Sequence, residues 1–164
     1  MKKYIYLITL LFFTINASAQ FKNKVYKLAD KFEVVINKDV QIESLTILSD
    51  DPLSLQEDIQ FNLGKYGVKT LSRFIAQQRL TNITEGSNTS TELEKVSFTT
   101  DIGVELNYTF DYIGIHKFSA SLIDLNSGEI ISSIRWNGIE RGRKVVAEAF
   151  TYLILKNFTD KLED

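Results

Sequence analysis

Val104-Glu105-Leu106-Asn107-Tyr108-Thr109-Phe110-Asp111-Tyr112 alternates apolar and polar residues along its whole length. Side chains on a strand point to opposite faces in turn, so Val104, Leu106, Tyr108, Phe110 and Tyr112 share one face. Glu105, Asn107, Thr109 and Asp111 share the other. The pattern predicts a half-buried antiparallel strand, with a partner at Lys117 to Leu125. Asn126-Ser127-Gly128 then closes a short hairpin, because Gly supplies the positive φ that a bulged turn needs, and Glu129 to Trp136 returns as the third strand. Downstream, Val146, Ala149, Phe150, Leu153, Ile154, Phe158 and Leu162 form an apolar stripe on a closing helix that starts near Gly142.

Upstream of this meander the periodicity changes. Val40 to Leu48 is rich in Val, Ile, Leu and Thr and reads as a strand, ending at Ser49-Asp50-Asp51-Pro52. Leu55, Ile59, Leu63 and Tyr66 recur at helical spacing, with Pro52 suited to a first helical turn and Gly67 to a left-handed stop. Val68 to Ser72 is the next strand. This strand, helix, strand unit is most naturally parallel with a right-handed crossover. Phe74 to Leu80 reads as a short helix, and Thr81 to Thr91, dominated by Thr, Ser, Asn and Gly, as a polar loop. In Phe21 to Asp39 only Val34-Val35-Ile36 suggests a strand. The fold class expected is therefore α/β (α+β): a single domain over 40–164, with a mixed sheet and helices chiefly on one face, preceded by an extension over 20–39.

Met1-Lys2-Lys3, the apolar run Ile5 to Ile15 and Ala17-Ser18-Ala19 read as a secretory signal over 1–19, cut before Gln20. As a helix the apolar run rises only about 16 Å, too little for a hydrocarbon core of about 30 Å. Export is implied, to the periplasm or the outer membrane's neighbourhood. The 164 residues carry 19 Lys plus Arg against 21 Asp plus Glu, and loss of Lys2 and Lys3 makes the mature balance more acidic. That argues against nucleic acid as a partner. The chain has no Cys, which excludes disulfides, thiol chemistry and a lipid-modified cysteine at the mature start.

Asp50 and Asp51 stand at a strand end before a helix, where paired carboxylates can hold Mg²⁺ or Ca²⁺ in a hydrolase or other metal-dependent enzyme. A helix cap needs the same residues in the same place, and it is the preferred reading. His116, the single histidine, can be oriented by Asp111 or Asp124 near Ser119 and Ser121, but no nucleophile-elbow spacing accompanies them. A solvated turn histidine is preferred, so no catalytic residue, metal or cofactor is expected. Tyr108, Phe110, Tyr112, Phe118 and Trp136 gather aromatic surface on the hairpin sheet, most of it expected under the last helix, with Tyr112 and Trp136 able to reach a surface. A small-ligand carrier would place its pocket between that sheet and the helix. Arg135, Trp136, Arg141, Arg143 and Lys144 are the candidate binding group, since arginines at a strand-to-helix corner can grip a carboxylate or phosphate. The sequons at Asn82, Asn88, Asn107 and Asn157 matter only in a eukaryotic secretory pathway.

Leu122-Ile123-Asp124, Ser127-Gly128-Glu129 and the helix Leu55 to Gly67, in this order of elements, resemble a bacterial envelope domain. It is the domain shared by curli-secretion channel proteins, penicillin-binding-protein activator lipoproteins and the N-terminal domain of the Tol translocation protein. The resemblance spans roughly Val40 to Leu162. It implies a non-enzymatic envelope component that binds another protein or assembles with itself. The missing lipid-anchoring cysteine, and the lack of long amphipathic hairpins, depart from the channel and activator members.

Overall fold

The computed structural model describes residues 18–49, 53–71 and 102–162. Six strands form one mixed sheet, and three helices cover one of its faces. Helix α1 runs through residues 18–29, followed by β1 (Glu33–Ile36), β2 (Ser44–Ile47), α2 (Leu55–Lys65) and β3 (Lys69–Leu71). After the undescribed stretch come β4 (Ile102–Phe110), β5 (Ile115–Asp124), β6 (Ile130–Glu140) and α3 (Arg143–Phe158). The sheet order is β1-β6-β5-β4-β2-β3. β2 is parallel to both β3 and β4, while β4, β5, β6 and β1 run antiparallel in succession. The α/β single-domain reading and its strand, helix, strand start hold.

The core lies between the sheet and the helices. Val104 and Leu106 of β4, Phe118, Ala120 and Leu122 of β5, and Ile134 and Trp136 of β6 are all buried there, as the alternation requires. Their neighbours on the other face are small or polar. Asn107, Ser119, Arg135 and Glu33 stand in register across four strands, and Glu105, Ser121 and Ser133 form the next row. Phe150 of α3 meets Phe118 at 5.2 Å between ring centroids, both 1% exposed. Each such ring contributes roughly 1.5–3 kcal/mol of burial. α3 buries more than the expected stripe, because it is sandwiched between the sheet and the other helices: Val145, Ala147, Thr151 and Leu155 are covered too. Thr151 tolerates this by donating its hydroxyl proton to the Ala147 carbonyl at 2.8 Å.

Two local expectations need correction. α2 starts after Ser54, which takes the cap position at φ 55° with no side-chain capping bond, later than the start expected near Pro52. The turn is instead tied down from outside: the Leu53 amide donates to the Tyr108 hydroxyl at 3.3 Å, and Arg143 donates to the Leu53 carbonyl at 2.6 Å. Asp50, Asp51 and Pro52 themselves, the Phe74 to Leu80 helix and the 81–91 loop lie outside the described residues. The second correction concerns the tip of β4. A register shift between Thr109 and Phe110 breaks the alternation, so Phe110 is half exposed and Tyr112, in the turn, is 96% exposed. Phe110 leaves the buried face to which period two assigned it, while Tyr112 reaches the surface as expected near a strand end.

Residues 20–39 are more than an extension. Val25, Leu28 and Ala29 of α1 and Phe32 just after it enter the core, with Phe32 edge-on to Phe118 at 5.6 Å. The segment Val34-Val35-Ile36 is a strand as expected, and it pairs with β6 at the sheet edge. Gly67 and Gly128 take the positive φ values (70° and 77°) expected of the helix stop and the hairpin.

Candidate functional site

The five residues of the candidate binding group do not converge. Arg135 points to the outer face of the sheet, where its guanidinium holds the Glu33 carboxylate at 2.6 Å and ties β6 to β1. Arg143 grips Asp58 at 2.7 Å and the Leu53 carbonyl, joining the start of α3 to α2. Both are cross-links between elements. Arg141 and Lys144 are exposed. Trp136 is the clearest correction: it is 5% exposed, stacked against Phe32 at 5.8 Å, and belongs to the core. Gly138 lies on top of its ring, and a Cβ there would stand 2.8 Å from the indole.

What the fold brings to this corner is α1. Lys24 and Lys27 on α1 and Lys31 in the turn after it line a cleft of about 300 Å³ with Trp136, Asn137, Gly138, Ile139 and Glu140. Lys24 pairs with Glu140 at 2.8 Å, and the same carboxylate oxygen accepts the Gly142 amide. Lys27 and Lys31 have no acidic partner among the described residues. The cleft therefore presents two uncompensated ammonium groups beside an exposed Ile139. An anionic group of modest size fits that chemistry.

These lysines escaped the sequence reading because 20–39 was not read as a helix. A signal existed. Val25, Leu28, Ala29 and Phe32 already show helical spacing, but four lysines and the adjoining leader mask it. On the other flank of α1, a groove of about 280 Å³ runs between the three helices, with Phe21, Tyr26, Tyr66 and Tyr152 on its walls. Tyr26 meets Tyr152 edge-on at 5.0 Å.

His116 and Asp111 do meet. The imidazole Nε2 stands 2.8 Å from Asp111 Oδ1, yet off the line of a good hydrogen bond, so the contact is chiefly one of charge and dipole. The same oxygen accepts the amides of Ile113 and Gly114 at 2.7 and 3.2 Å. His116 first, and then these amides, hold the Asp111 carboxyl below the usual carboxylate range, against some desolvation. The pair closes the β4–β5 turn. Asp124 does the same for the β5–β6 turn, accepting the amides of Asn126 and Ser127 while Lys38 approaches its other oxygen at 3.2 Å. The pocket required of a carrier, between the aromatic sheet and α3, is occupied by the Phe118 and Phe150 rings. Among the described residues no cluster of three His, Asp or Glu is placed to hold a metal ion, and no helix is long and apolar enough to cross a membrane.

No protein-family model and no curated protein matches the chain. Among solved structures, two forms of the PelC dodecamer from Paraburkholderia phytofirmans are similar in outline. A variant form is 11% identical with a TM-score of 0.44, covering 77% of this chain and 96% of its own. The other is 12% identical with a TM-score of 0.42, covering 78% and 98%. At that distance the likeness carries nothing about site, partner or assembly.

Proposed function

We propose that this chain is a non-enzymatic, extracytoplasmic binding component of the bacterial cell envelope, and that it makes contact through the corner where α1 lies against the C-terminal half of β6. The convergence of Lys24, Lys27 and Lys31 on the Asn137 to Glu140 segment carries the reading. The leader-like Met1 to Ala19 supports export, and the resemblance of the 122–129 hairpin to an envelope domain supports the setting. Asp111 and His116 are engaged in shaping a turn, which speaks for structure rather than chemistry at the one histidine.

A panel of surface variants, scored for both folding and capture of envelope material, tests this. Charge reversal at Lys27 and Lys31 is expected to abolish capture with the fold intact, and His116→Ala to leave capture and cellular phenotype unchanged. Loss of function confined to His116→Ala or to Asp50 and Asp51 variants, with capture untouched, would instead establish an enzyme.

A further inference from the structure

The charge of this protein is segregated. Lys22, Lys24, Lys27 and Lys31 lie within ten residues on α1 and the turn after it, opposed there by Asp30 alone, while in the chain beyond them acids outnumber cations 20 to 13. An acidic body with one basic helix presents that helix to negative surfaces and turns its other faces away from them. α1 also exposes aromatic rings: Phe21 and Tyr26 are 37% and 46% accessible. Lysine and aromatic side chains together on one exposed helix favour the water–headgroup boundary, where the ring takes the interface and the ammonium takes the phosphate.

We infer that α1 docks this protein on a bilayer bearing anionic headgroups, with a headgroup phosphate seated in the cleft against Lys27 and Lys31. The inference rests on the proposed binding role and names its partner. A nucleic acid or soluble polyanion would need cations spread over a long track, and of the ten described cations beyond Lys31 four are engaged by acids: Lys38 with Asp124, Lys65 with Glu148, Arg135 with Glu33 and Arg143 with Asp58. A short lysine row along one flank of an exposed helix fits a planar surface better. The acid that lines the cleft is Glu140 from β6, already neutralised by Lys24, while Asp30, in the turn after α1, is not among its walls. Lys27 and Lys31 are thus the groups left to act.

Vesicle co-sedimentation decides it, using the exported product with phosphatidylcholine vesicles and with the same vesicles containing phosphatidylglycerol. Binding is expected only in the second case and should weaken as salt rises. Lys27→Gln with Lys31→Gln should reduce it roughly thirtyfold, two surface lysines at about 1 kcal/mol each, and the double Arg variant should keep it. Melting curves of both variants matching the parent show that the surface, and not the fold, was changed. Equal binding to neutral vesicles, or full affinity in the double Gln variant, overturns the inference. So does binding to single-stranded DNA or free glycerol phosphate as tight as to the anionic vesicles. A chain that fails to leave the cytoplasm speaks against the proposed function instead, and fractionation separates the two failures.

Discussion

Helices α1 and α3 occupy the same face of one sheet and differ in almost everything else. α3 is covered on nearly all sides, with ten of its sixteen residues buried from Val145 to Phe158. α1 sends Val25, Leu28 and Ala29 inward and leaves its lysines and Tyr26 to solvent. A helix buried all round is held by packing and cannot change without unfolding its neighbours, whereas a helix buried on a narrow stripe can carry a different exposed face at little cost to the fold. In this protein stability therefore resides mainly in α3, and the proposed contact in α1.

Perturbations of the two regions should separate accordingly. Phe150→Ala removes the ring that fills the space against Phe118, and should lower stability by about 3–5 kcal/mol, read as a fall in the urea midpoint. An unchanged midpoint would mean that α3 does not dock as described. Gly138→Ala acts where the two regions meet: its methyl would stand 2.8 Å from the rigid Trp136 ring, so the expected loss is about 1–3 kcal/mol. Binding should suffer with it, since the displaced strand walls the lysine cleft.

The hairpin turns belong to neither helix and supply a pH test. Asp124 is held below the usual carboxylate range first by the Asn126 amide, then by Ser127 and Lys38, against some desolvation. A carboxyl depressed on folding stabilises fully above its unfolded value near 4, and that stability drains as pH falls through the lower folded value. Acid titration of stability should accordingly show a decline below about pH 4 that is shallower in Asp124→Asn. Equal acid profiles in parent and variant would remove Asp124 from the turn's charge balance. The smallest stability effect is expected for Lys27→Gln with Lys31→Gln, within about 0.5 kcal/mol of the parent, as both side chains are exposed.

The same contrast explains what the sequence disclosed. The β4 alternation, the Asp124 to Gly128 hairpin, the α2 spacing and the α3 stripe are each local and strongly periodic, and all four elements appear in the fold. Where tertiary contact overrode the local pattern, the reading failed. The bulge at Thr109 and Phe110 re-aims Phe110, Ser54 starts α2 through contacts from Tyr108 and Arg143, and Phe32 draws Trp136 into the core. At the site, Arg135 and Arg143 of the 135–144 corner are cross-links, while Arg141 and Lys144 are exposed. The lysines of the cleft come from α1 and the turn after it, more than a hundred residues away in sequence, and only strand β6 packing beside α1 brings them there.

Fractionation of cells carrying the parent or the Lys27→Gln, Lys31→Gln variant tests the separation of contact from stability most directly. The parent should be found with the envelope membranes and be released by salt, and the variant, at equal abundance, should appear in the soluble extracytoplasmic fraction. A variant that stays on the membrane, or a parent found in the cytoplasm, would contradict the assignment of contact to α1.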